Sequence, residues 1–181
     1  MVHCDNPLAA FLRVHQVAAE LLWLSEHTPT VEVAARVMGT TVDRIAKSVL
    51  FVQDTGEAGT DRAVLVIANG LNRVDYRRVA DCLGISRRRL KLADAETVLA
   101  LTGQPVGGVA PFGHPAPLRT FIDRRVLDQP EVFAGGGALD ALMRVSPEEI
   151  VRVTGAQRVD VVKATTDAPL RATDDGPSVT R

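Results

Sequence analysis

Two short, almost unbroken apolar runs, Val49-Leu50-Phe51-Val52 and Ala63-Val64-Leu65-Val66-Ile67-Ala68, constrain this chain more than any other feature. A strand with one wet face alternates polar and apolar residues, whereas a continuous run rich in β-branched types predicts a strand covered on both faces. The polar stretch from Gln53 to Arg62, containing Gly56 and Gly59, separates the two runs. Coverage on both faces requires helices, and helical patterns with start and stop signals surround the runs. Thr30 precedes Val31 to Met38, which Gly39 can close. Asp75 can cap a helix to Leu83 with Gly84 as its stop, and Asp94 can cap another through Leu101 with Gly103 behind it. Ser146-Pro147-Glu148-Glu149 combines an N-cap serine, proline at the first helical position and a glutamate three residues after the cap. Phe121-Ile122, Val132-Phe133 and Leu139 to Val145 are short enough for strands. Strands and helices intermix, so the expected fold class is α/β, a mixed β-sheet with surrounding helices.

The ends read differently. Leu8 to Leu24 sets Arg13, Gln16 and Glu20 opposite Leu8, Phe11, Leu12, Ala19 and Leu22, which predicts an amphipathic helix opened by Asn6-Pro7. Its polar groups exclude a membrane span, and a signal peptide is not expected either. From Ala164 onward there are too few large apolar groups to offset the entropy of ordering, so a disordered tail is expected. With 181 residues, 46% hydrophobic, one core is the natural outcome. The expected organisation is a helical segment over 1–29, the main domain over 30–163 and the tail over 164–181. Cys4 and Cys82 stand far apart, which excludes a disulfide framework and fits a cytoplasmic protein.

Several chemistries can be set aside. Gly39 to Ser48 ends in Lys-Ser like a phosphate-binding loop, but the spacing is wrong and Ala46 stands where glycine is required. The run Gly135-Gly136-Gly137 lacks the dinucleotide pattern. His3, His15, His27 and His114 show no metal-ligand spacing, Cys82 reads as core, and Ser48 has no visible base beside it. Lys47, two positions ahead of the first apolar run, is either a strand-end charge reaching water or a fixed cation in a cleft. Gly107 to His114 is either a tight turn around Pro111 or a place where backbone approaches a ligand. His114 is either a surface histidine or a donor to substrate. Arg73 to Lys91 carries seven cations against two anions, although the formal net charge of the chain is −1. That local surplus is either a solvated face or a track for a phosphate backbone.

Taken in order, these segments carry more information than any one of them. The Thr30 helix, Arg44-Ile45-Ala46-Lys47-Ser48-Val49-Leu50-Phe51, Ala63 to Ala68, Arg73-Val74-Asp75, and Thr102 through Gly107-Gly108-Val109-Ala110-Pro111-Phe112-Gly113 resemble the YbaK family. The likeness continues through Thr120 to Asp123, Val132 to Gly137 and Val145 to Val151. These proteins are aminoacyl-tRNA deacylases, also known as the prolyl-tRNA-synthetase-associated domain.

The resemblance implies a YbaK-like single domain and a trans-editing hydrolase that deacylates mischarged aminoacyl-tRNA, with Cys- or Ala-tRNA(Pro) as the expected substrates. It implies Lys47, Gly107 and Gly108 as catalytic residues, and Pro111, Phe112, Gly113, His114, Gly135 and Gly136 as substrate-binding ones. No cofactor or metal is implied. The expected partners are mischarged aminoacyl-tRNA and prolyl-tRNA synthetase, with no membrane, and the chain is expected to act as a monomer. The alternative is a non-catalytic module that binds tRNA or the synthetase. Two features differ from the family pattern. Many relatives carry Ser-x-Gly where this chain has Gly135-Gly136-Gly137, and relatives usually place an early strand where this chain reads as helical.

Overall fold

The computed structural model describes residues 6–28, 30–54, 62–70 and 72–163. The tail expected to be disordered over 164–181 lies outside the described residues, as does most of the stretch between the two apolar runs.

Both runs are strands, β2 (Ala46–Gln53) and β3 (Ala63–Asn69), paired antiparallel from Ala46 opposite Asn69 to Val52 opposite Ala63. Every residue of β3 is buried. Because side chains alternate across a strand, its two faces feed different cores. Val64, Val66 and Ala68 join Phe51, Val79 and Phe121 on one side, while Leu65 joins Leu50 and Leu118, and Ile67 joins Leu12 and Met143, on the other. Removing a buried phenylalanine such as Phe51 or Phe121 from water contributes about 1.5–3 kcal/mol.

A five-stranded mixed sheet is built around β3, in the order β4 (Leu90–Leu92), β2, β3, β5 (Arg119–Asp123), β8 (Gln157–Val159). The last two pairings are parallel, so the chain crosses over through α3 (Tyr76–Leu83) and α4 (Ala95–Thr102) before β5. Both helices start on the expected caps, with the Asp75 carboxylate accepting from Arg77 N–H and Asp94 from Thr97 N–H, and both end at glycine. Likewise α2 (Val31–Val37) starts at Thr30 and α6 (Pro147–Thr154) at Ser146. The short α5 (Arg124–Leu127) is capped by Asp123. Apolar periodicity gives no sign of β4 or β8, which are three residues long.

The N-terminal expectation needs correction. Within the expected helical segment 1–29 the described residues do not form one helix: α1 covers Pro7–Val14, and β1 (Ala19–Trp23) follows as a strand. Gln16 takes a positive φ of 48°, which ends the helical path. β1 then pairs antiparallel with β7 (Ala141–Val145), Leu21 opposite Met143, and β6 (Val132–Gly135) completes a second, three-stranded sheet. The spacing of Arg13, Gln16 and Glu20 suits either period over so few residues, and strand pairing decides it. No helix among the described residues is long and apolar enough to cross a membrane.

Candidate active site

β2 is only partly covered along its outer edge. β4 pairs with Phe51 to Gln53, and just ahead of the other end Ile45 forms a single bridge with Phe133. Between these points the edge is open. Ile45 O accepts from Gly70 N–H toward β3, whereas Leu50 O accepts from Ala93 N–H on the outer side. Peptide groups alternate along a strand, so the Ser48 N–H and C=O face outward where no strand lies across from them.

A hollow of about 280 Å³ occupies this gap, and its lining includes Thr30, Lys47, Ser48, Gly107 and Gly135, with Val31, Ala34, Val109 and Leu142 supplying apolar wall. Lys47 and Ser48 leave the strand on opposite faces, and the hollow reaches both because it wraps the strand edge. The Lys47 ammonium donates to the carbonyl oxygens of Gly70 (3.1 Å) and Asn72 (2.6 Å). An ammonium has three donors, so one remains for a ligand. Burial pushes the Lys47 pKa down, the nearby Glu32 carboxylate pulls it back up, and the Arg73 charge lowers it again. Ser48 Oγ is buried without a hydrogen-bond partner in the described structure. A buried hydroxyl in that condition is destabilising by about 1–3 kcal/mol, a penalty that a bound ligand would relieve.

The asparagine ladder behind Lys47 is invisible in the sequence. Buried Asn69 donates through Nδ2 to Asp43 O (3.1 Å) and Arg125 O (3.3 Å), and its Oδ1 accepts from Asn72 Nδ2 (3.1 Å). Asn72 in turn offers the carbonyl that Lys47 grips. Ser48 also escapes a reading of the sequence, which shows no base beside it. The signal that finds it is an orphaned hydroxyl, which only coordinates reveal.

The structure divides the nine expected site residues. Lys47, Gly107 and Gly135 meet at the hollow. Gly108 holds two backbones together instead: its N–H donates to Pro105 O (2.9 Å) and its carbonyl accepts from Gly137 N–H (2.8 Å). A Cβ at Gly108 would come within 2.7 Å of Ala138 O, and one at Gly135 would run into Val109 O. Of the two glycines expected to be catalytic, Gly107 lines the hollow, whereas the Gly108 amide is already committed to Pro105 O. The two glycine-rich segments, far apart in sequence, exist in part to let each other approach. Gly136 likewise commits its N–H to Ala141 O (3.0 Å).

Pro111, Phe112, Gly113 and His114 do not line the hollow that holds Lys47. They line a separate cavity of about 520 Å³ beside Phe11 and His15. Phe112 is buried and stacks on Phe11 with ring centroids 5.8 Å apart. The His114 Nε2–H donates to Ala110 O (3.0 Å), and burial pushes its pKa down. Among the described residues no cluster of histidine, cysteine, aspartate and glutamate could hold a metal ion.

A mixed α/β sheet whose open edge presents a cation, an unpaired peptide and an orphan hydroxyl defines a domain suited to a small polar ligand bearing a carbonyl or phosphate. Comparison with known proteins makes this more specific. The sequence profile of the aminoacyl-tRNA editing domain matches residues 25–153, and the chain belongs to that family. It is 31% identical over 121 residues to the uncharacterized protein YwhH of Bacillus subtilis (strain 168), spanning 67% of this chain and 72% of that one. It is 30% identical over 141 residues to a proline–tRNA ligase of Nitratidesulfovibrio vulgaris (strain DP4), covering 78% of this chain but only 22% of the ligase. Among solved structures it resembles a proposed trans-editing enzyme for prolyl tRNA synthetase, with a TM-score of 0.76 and 32% identity over 88% of this chain and 98% of that one.

Proposed function

We propose that this chain is a trans-editing hydrolase that deacylates mischarged aminoacyl-tRNA, with Cys- or Ala-tRNA(Pro) as the substrates to expect. The observation that carries the reading is the convergence of the Lys47 ammonium, the Ser48 edge and the Gly107 and Gly135 backbone on one hollow. Binding to RNA alone would not call for a partly desolvated lysine beside an unpaired peptide N–H.

In this reading Lys47 holds the terminal ribose-phosphate through its remaining donor. The Ser48 and Gly107 backbone groups and the Ser48 hydroxyl orient the ester and stabilise the charge that develops on its carbonyl oxygen. A water molecule adds to the carbonyl carbon. The bond to the ribose oxygen then breaks, that oxygen takes the proton lost by the water, and the amino acid leaves free. No side chain needs to form a covalent intermediate. The apolar wall of Val31, Ala34, Val109 and Leu142 selects by size, which excludes a bulkier side chain more effectively than it discriminates a single methylene. The reaction belongs where tRNA is charged, in the cytoplasm, with prolyl-tRNA synthetase as the source of the error.

A panel of mischarged tRNAs tests the proposal. Release of free amino acid from one or more members is expected. Saturable binding across the panel without release would replace the enzyme by a binding module.

A further inference from the structure

The seven cations between Arg73 and Lys91 do not share one fate. Arg78 pairs with Asp160 (3.2 Å) and Lys91 with Asp54 (2.6 Å). Arg87 lies over the Tyr76 ring, 4.6 Å from its centroid, and donates to Leu90 O (2.9 Å). Tyr76 in turn meets Phe51 edge-on. This stack ties the start of α3 to the 3-10 turn Arg87–Arg89. The remaining four, Arg73, Arg77, Arg88 and Arg89, are exposed and have no carboxylate partner among the described residues. Neither acid within the segment forms an ion pair with one of these side chains: the Asp75 carboxylate caps α3, and Asp81 is exposed.

Arg89 is fixed through its backbone, its N–H donating to Ser86 O (2.9 Å) and its carbonyl accepting from Asp54 N–H (2.6 Å). Arg73 directly follows Asn72, the residue whose carbonyl holds the Lys47 ammonium, and is close enough for its charge to act on that ammonium. In a chain with a net charge of −1, this unpaired positive charge runs from Arg73, beside the Lys47 end of β2, to Arg89, whose carbonyl meets Asp54 N–H just past the other end of that strand. An acidic protein would be met equally well by scattered charges. Arginines spread over the length of β2, roughly 20–25 Å, with one of them beside the site for a terminal nucleotide, suit a continuous phosphate backbone better.

We propose that Arg73, Arg77, Arg88 and Arg89 form the docking face for the phosphate backbone of the acceptor stem whose 3′ end enters the Lys47 hollow. The identity of that RNA rests on the editing reading above. The surface itself is tested without any chemistry.

An uncharged, fluorescently labelled RNA minihelix ending in CCA is titrated with the wild-type chain and with the Arg77→Ala/Arg88→Ala/Arg89→Ala variant, at several salt concentrations from about 50 to about 200 mM. All three side chains are exposed, so the variant is expected to melt at the wild-type temperature. Its affinity should fall at least ~10-fold near 100 mM salt, and the slope of log affinity against log salt should shrink by about 2–3, roughly one for each phosphate that is no longer neutralised. A folded variant with wild-type affinity and slope overturns the proposal, as does a wild-type chain that poly-glutamate displaces from the minihelix as readily as unlabelled minihelix does. Because the RNA carries no amino acid, failure of deacylation in the mischarged panel would sink the editing reading while leaving this titration to be judged separately.

Discussion

The Lys47 ammonium is pinned to the main chain of the loop after β3, 2.6 Å from the carbonyl oxygen of Asn72. A lysine in a protein ordinarily keeps its charge by reaching water. This one is half-withdrawn and compensated by two backbone carbonyls, a state that fixes the position of the charge relative to the open edge of β2.

Replacing Lys47 by alanine removes that charge and two hydrogen bonds. Hydrolysis of a susceptible mischarged tRNA should fall by at least ~100-fold, the scale set by loss of a group that stabilises developing charge. Stability should drop by only about 1–3 kcal/mol. Single-turnover deacylation together with urea unfolding checks both, and near-normal turnover would remove Lys47 from the mechanism.

The pH profile follows from the same surroundings. Burial lowers the Lys47 pKa, so the cation is lost at a lower pH than an ordinary lysine would lose it. Activity should decline on the alkaline side below the usual lysine range. Glu32→Gln removes a carboxylate that favours the charged form, so it should move that decline to still lower pH. The linked effect on stability has the opposite sense. The folded state binds this proton less tightly than the unfolded chain, so Lys47 makes the fold more stable as pH rises through the window beneath the usual lysine range. A pH–rate profile whose alkaline limb is unchanged by Glu32→Gln would contradict the assignment of that limb to Lys47.

Ser48→Ala separates function from folding. The hydroxyl is buried without a partner, so its removal should leave the melting temperature unchanged or raise it slightly. Deacylation should nevertheless slow by about 10-fold if the hydroxyl supports the ester through one hydrogen bond of about 1.4 kcal/mol. Thermal melting and kcat/KM on the same preparation decide it, and unchanged kcat/KM would mean that the ligand leaves the hydroxyl alone.

Glu149 stands three residues after Ser146, the spacing of a capping box in which its side chain would turn back to the residue that opens α6. Ser146 Oγ does accept from Glu149 N–H (3.2 Å), but the Glu149 carboxylate instead accepts from Arg152 (2.6 and 2.7 Å) and from Ala18 N–H (2.7 Å), just ahead of β1. The Arg152 bonds, and then the Ala18 amide, hold its pKa down to about 2. A carboxylate depressed in the fold stabilises it above the ordinary glutamate range, and that contribution fades as pH falls toward about 2. Glu149→Gln should therefore melt below wild type at neutral pH, with the gap closing as pH is lowered. Parallel melting curves from pH 7 downward test this, and a gap that does not vary with pH would refute it.

Asp123 is fully buried at the end of β5, where its carboxylate accepts from Val161 N–H (2.8 Å) and Val162 N–H (3.2 Å) while capping α5 through Arg125 N–H (3.0 Å). Asp123→Ala strands buried donors on two segments, so unfolding in urea should show a loss of about 2–5 kcal/mol. A loss under about 1 kcal/mol would show that the C-terminal segment is held by packing alone.

The central strands and most helix caps were legible from the residue order, because each depends on neighbours a few positions away. An apolar run of that length between polar stretches suits a strand buried on both faces, and serine, threonine or aspartate ahead of a helical pattern satisfies its first free amides. Other features arose only when distant segments came together. Ala19–Trp23 became a strand because β7 lies alongside it, against a pattern equally good for a helix. The Gly107–His114 loop, contiguous in sequence, serves two different cavities, since backbone that runs through a core exposes successive residues to opposite sides. The hollow itself follows from strand pairing. β4 and β6 both stop short of Ser48, and a gap between two partners cannot be written in the strand that they leave uncovered.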